Sequence, residues 1–136
     1  MIVEGSKLDK KTYYKYLFII GAIFNWIMGF SFIFLSIFDP AIFEEFGTSY
    51  PPTLFFLHSL LVLIITFGIG YFIVGMDINK NHGCVILGIV SKMLFFMMCV
   101  IYFLIGDLLM IIAILGSLDF IFACLFIEFL INFKKQ

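Results

Sequence analysis

The chain has 136 residues, 64% of them apolar and only 12% charged, with a formal net charge of -1. Soluble domains carry about a quarter charged residues, and a soluble fold of this size could not hide 20 phenylalanines, because surface is large relative to volume in small domains. A water-soluble globule is therefore excluded. So is a nucleic-acid-binding module, because every basic residue is lysine, arginine is absent and no basic stripe forms.

Residues 1–13 read as a short polar tail carrying Lys7, Lys10 and Lys11. The apolar run that follows, residues 14–37, is too long for the core of a cleaved signal peptide, and no small-residue cleavage site ends it. It is expected to stay as a signal anchor and first span. Asp39-Pro40 ends it, since proline cannot continue the helical ladder. The same pair offers a cap and first position for a short helix over residues 41–46, closed by Gly47. Ile42, Phe43 and Phe46 share one face of this segment and Glu44 and Glu45 the other, which predicts that it lies in the headgroup boundary. A lid over a pocket is the competing reading.

Pro51-Pro52 leads into a second span at residues 53–76. A tight turn at residues 77–83 follows, with Asn81 a candidate cap for the third span at residues 84–105. Gly106-Asp107 makes a very short turn, and Asp107 is a candidate cap for the fourth span at residues 108–131. Residues 132–136 form a second tail. Each span has about 22–24 residues, or roughly 33–36 Å at ~1.5 Å per residue, enough to cross a ~30 Å hydrocarbon layer. The fold class is an all-α integral membrane protein, a compact four-helix transmembrane bundle.

Orientation follows from lysine. With both termini inside, Lys7, Lys10, Lys11, Lys15, Lys80, Lys134 and Lys135 all lie on the cytoplasmic side, and the outer loops hold only Asp39, Glu44, Glu45 and Asp107. The reverse topology would expel every one of those lysines. The predicted orientation is N-in/C-in, in a bacterial cytoplasmic (inner) membrane.

Polar residues inside the spans are few. Gly21, Asn25 and Gly29 mark one face of the first span. Gly88 precedes Lys92 by a turn in the third, and Gly116, Asp119 and Ala123 share a face of the fourth. A charge facing lipid costs at least ~2.5–3.5 kcal/mol. Lys92 and Asp119 are therefore expected to face each other inside the bundle, with Asn25 nearby, as a candidate buried polar site. Such a pair serves equally well as a structural device or a functional one. His58 is a candidate outer-side contact, against headgroups or paired with Glu45 or Asp107. Glu128, on nearly the opposite face from Asp119, reads as a rim residue near Lys15, Lys80 or Lys135. Cys84, Cys99 and Cys124 have no metal-ligand spacing and read as free, small fillers.

Four short-looped spans, Gly68 and Tyr71 in the second, Asn81 and Gly83 in the inner turn, Gly88 and Lys92 in the third, and Asp119 and Ala123 in the fourth resemble the small bacterial membrane proteins of the DoxX-like or BphX-like kind. The resemblance covers the layout of residues 14–133. It implies a membrane partner of oxidoreductases, with quinone or redox association. No cofactor-ligation pattern accompanies it: the only histidines, His58 and His82, fall on opposite sides of the membrane and cannot form a haem pair.

No metal, cofactor or catalytic residue is assigned. The leading reading is a non-catalytic or accessory membrane protein that contacts lipids and binds a small apolar ligand, a membrane protein partner or further copies of itself. The alternatives are a small oligomeric transporter or channel using Asn25, Lys92 and Asp119, and a membrane-embedded enzyme acting on lipid or quinone.

Overall fold

The computed structural model describes residues 2–133, with side chains from Lys10 onward. Five helices follow in order: α1 (Ile2–Phe38), α2 (Ile42–Glu45), α3 (Phe55–Met76), α4 (His82–Leu104) and α5 (Met110–Asn132). Four of them contain stretches long and apolar enough to cross a membrane, Lys10–Phe38, Phe55–Met76, His82–Leu104 and Met110–Asn132. Among the described residues there is no strand. The protein is a multi-pass, all-helical membrane protein, a four-helix bundle.

The helix α1 begins at Ile2, so the backbone of the expected polar tail is continuous with the first span. The expected placement of Lys134 and Lys135 lies outside the described residues. Lys10 on α1 and Asn132 at the end of α5 meet at one end of the bundle, where the Lys10 ammonium donates to the Asn132 carbonyl at 3.4 Å. This is the terminal end; the other is the α2 end.

The turns are closed by backbone rather than by the expected side-chain caps. At Gly106, φ is +91°; its N–H donates to Phe103 O at 3.1 Å and Asp107 N–H to Tyr102 O at 3.0 Å. This paired closure ends α4, and Asp107 does not cap α5, whose N-cap position is Leu109. Gly47, with φ +82°, closes α2 in the same way through Gly47 N to Glu44 O and Thr48 N to Phe43 O, each 2.9 Å. Asp39 donates its N–H back to Leu35 O at 2.9 Å and accepts from Ile42 N–H at 3.1 Å through its carbonyl, with no side-chain cap on α2. Asn81 stands at the N-cap of α4 with a left-handed backbone, φ +63°, and its side chain makes no capping bond.

The helices pack chiefly as two pairs, α1 with α3 and α4 with α5. Lipid gives no hydrophobic drive for this, so close backbone approach and interhelical hydrogen bonds matter more. In the first pair Gly68 makes room for the Trp26 indole, whose Nε1 donates to Ile65 O at 3.2 Å. In the second, Gly116 seats against Cys99. The pairs converge at the terminal end on a fully buried aromatic core. There Phe18 stacks on Phe126 at 4.8 Å, Tyr14 meets Phe129 edge-on at 5.0 Å, and Tyr71 meets Phe126 at 5.1 Å. Toward the α2 end the pairs diverge and enclose a cavity of about 450 Å³.

The apolar side chains of α2 do not simply face outward. Ile42, Phe43 and Phe46 are half-buried and line the outermost part of this cavity. The Phe46 carbonyl accepts from Leu109 N–H at 3.3 Å, tying α2 to the start of α5. The segment expected along the headgroup boundary is therefore packed over the cavity, since burying its apolar face there satisfies the same amphipathic pattern.

Candidate functional site

Four helices are joined by one chain of polar contacts. The Lys92 ammonium, on α4, donates to Asp119 Oδ1 on α5 at 2.7 Å and to Asn25 Oδ1 on α1 at 3.2 Å. Asn25 Nδ2 in turn donates to the Ile64 carbonyl of α3 at 3.0 Å. The amide orientation follows from chemistry: an ammonium has only donors, so the Asn25 oxygen must face it. Lys92 is 4% exposed and the Asp119 side chain 17%. The positive and negative charges cancel inside the bundle, which is how a membrane interior tolerates them.

Three aromatic rings surround the ammonium. Its nitrogen lies 5.3 Å from the centroid of Phe122, 5.4 Å from Tyr71 and 5.5 Å from Phe24. Each distance permits a cation–π attraction. Tyr71 is placed by Gly88, because a Cβ there would lie 2.5 Å from Tyr71 Cε1 and 2.7 Å from its hydroxyl oxygen. That hydroxyl is buried and makes no hydrogen bond among the described residues. Lys92 has a third N–H, also without an acceptor among the described residues: Asp119 and Asn25 take the other two.

These groups sit at the deep end of the cavity. Asn25, Tyr71, Ser91, Lys92 and Asp119 all line it, and the rest of its wall is apolar apart from Ser36 and Thr48. The wall draws on both helix pairs, with Met28 and Leu61 from one and Phe95 and Leu115 from the other. The arrangement suits a lipophilic molecule with one polar end.

The other expected polar contacts lie apart from this centre. His58 pairs with neither Glu45 nor Asp107; its Nε2 lies 2.8 Å from Ser36 Oγ. His58, Leu61, Ile65 and Gly68 recur at spacings of three and four, so the imidazole lies on the α1-facing side of α3. Ser36 gives its single proton to Ile33 O at 2.7 Å, which makes His58 Nε2–H the donor to Ser36. Glu128 is half-buried, and its partner is neither Lys15 nor Lys80: Oε1 accepts from the Tyr14 hydroxyl at 3.0 Å. Tyr14 is fully buried, so this bond pins α1 to α5; Lys135, the third expected partner of Glu128, lies outside the described residues.

The structure thus brings Asn25, Lys92 and Asp119 together and leaves His58 on the α2 side. The ring cage of Phe24, Tyr71 and Phe122 was not legible beforehand. Its one sequence signal was Gly88, a residue without a side chain one turn before Lys92, which has to be filled by something large from a neighbouring helix.

No protein-family model, no curated protein and no solved structure matches the chain.

Proposed function

We propose that this protein is a non-catalytic ligand-binding component of a bacterial inner membrane, holding a small apolar molecule between its two helix pairs. The observation that carries this reading is the cavity itself. Its volume of about 450 Å³ falls within the ~300–1,000 Å³ typical of small-molecule sites, and a mostly apolar wall ends on a single charge-neutral polar cluster. Lysine placement supports N-in/C-in, with α2 and the cavity mouth on the outer side. The layout likeness to DoxX-like and BphX-like proteins adds the expectation of a membrane partner rather than a catalytic role.

Binding is favoured over conduction by the aromatic core. Tyr14, Phe18, Phe126 and Phe129, each 0% exposed, fill the terminal end beneath the polar cluster, so a single chain holds a closed-ended chamber. The test is native mass spectrometry of protein extracted gently from its own membrane. The wild type is expected to carry a bound small mass that Leu115→Trp, which fills the chamber with an indole, does not retain. An equal adduct on both proteins, or none on either, contradicts the proposal.

A further inference from the structure

Three features of the cavity define its occupant more narrowly. The first is shape. The wall runs along α3 from Tyr71 to Leu57, a distance of ~21 Å at the helical rise, so the space is long for its volume and suits one extended chain rather than two.

The second is access. On the α1–α5 side the cavity is bridged by Phe24 against Phe122, with ring centroids 5.2 Å apart, and by Phe46, which meets Phe32 at 5.7 Å and Leu109 through its carbonyl. On the α3–α4 side Tyr71 packs on Gly88 near the terminal end, and beyond it no ring pair spans these two helices among the described residues. There Leu60 and Leu63 line the cavity while remaining 45% and 57% exposed. In a membrane, that exposure is to lipid.

The third is the polar end. Among the described residues the Tyr71 hydroxyl, on a side chain 1% exposed, makes no well-formed hydrogen bond, with only the Ser91 hydroxyl beside it on the wall, and the third Lys92 N–H has no acceptor. The ammonium is already neutralised by Asp119 at 2.7 Å. A ligand anion would crowd Asp119, and a ligand cation would face Lys92. An uncharged acceptor satisfies both donors without adding charge.

We infer that the cavity takes a single-chain lipophile with an uncharged carbonyl head, drawn sideways from the bilayer between α3 and α4, with its carbonyl oxygen on the Lys92 ammonium and the Tyr71 hydroxyl. This deepens the ligand-binding reading above and rests on it. The chain lies along the apolar wall toward α2, and the aromatic cage around Lys92 excludes water from the head.

The test uses the full chain in phosphatidylcholine nanodiscs supplied with equal amounts of methyl palmitate, hexadecane, hexadecanesulfonate and hexadecyltrimethylammonium, read by native mass spectrometry. Methyl palmitate is expected to be retained about tenfold over the other three, the discrimination that one hydrogen bond to a charged donor supports. Tyr71→Phe should lower the ratio of methyl palmitate to hexadecane severalfold. The double variant Lys92→Met, Asp119→Leu, which leaves no lone buried charge, should abolish it. Preference for the sulfonate, the ammonium or a two-chain phospholipid would overturn the proposal. So would a ratio indifferent to both variants. Equal retention of all four probes removes the carbonyl assignment and leaves the ligand-binding reading standing, whereas no adduct with any probe removes both.

Discussion

Lys92 reaches from α4 to Asp119 on α5, with Nζ 2.7 Å from Oδ1, at the point where Asn25 links the same ammonium to α1 and, through the Ile64 carbonyl, to α3. The two helix pairs therefore share a polar clasp between the aromatic core and the cavity. Removing one partner leaves a buried charge unmatched, at a cost of about 3–5 kcal/mol. Lys92→Met and Asp119→Leu should each lower thermal resistance in detergent sharply, and the double variant should recover most of the loss. Additive damage in the double variant would show that the two charges do not depend on each other.

Gly88 sets the position of Tyr71. A Cβ at residue 88 would sit 2.5 Å from the Tyr71 ring, so the buried ring must shift to admit it. Gly88→Ala should destabilise by about 1–3 kcal/mol, the usual cost of overpacking. Combining it with Tyr71→Leu should cost less than the sum of the two changes. Thermal melts of the three variants provide the check, and strict additivity would show that the ring does not press on residue 88.

The Tyr14–Glu128 bond ties α1 to α5 at the terminal end, away from the cavity. Tyr14→Phe should cost about 0.5–1.5 kcal/mol, as expected for one hydrogen bond. Glu128→Gln keeps an acceptor and should cost less. Loss of all folded protein on Glu128→Gln would show that the carboxylate does more than accept the tyrosine proton.

The topology proposal predicts opposite labelling at the two ends of the bundle. On a cysteine-free background, a cysteine at Ser49, in the α2 end loop, should react with an impermeant thiol reagent applied to intact cells. A cysteine at Lys10 should react only after lysis. The reverse pattern would overturn N-in/C-in.

Much of this organisation could be read from the sequence because lipid penalises certain residues so heavily. Lys92 and Asp119 each need a partner, and Asn25 is the only amide in the first span, so bringing the three together needed little beyond helical depth. The cavity gives no such signal: Leu57, Leu61 and Leu115 would be leucines whether they faced lipid, a neighbour or an empty chamber. For the same reason the amphipathic face of α2 could be recognised, but not what it covers. The expected caps at Asn81 and Asp107 failed on a different ground. The turns are closed by backbone bonds around residues with positive φ, Asn81 and Gly106, without side-chain caps. His58 meets a serine and Glu128 a tyrosine because a neighbouring helix face, not formal charge, decides what each can reach.

Occupancy of the space between the helix pairs by a lipophilic molecule is tested most directly by an experimental structure of the protein in nanodiscs prepared from its own membrane. Elongated density is expected from the Leu57 side chain to within hydrogen-bonding distance of Lys92 Nζ and the Tyr71 hydroxyl. A chamber filled only by ordered water, or collapsed so that Leu61 and Leu115 touch across it, would rule that occupancy out.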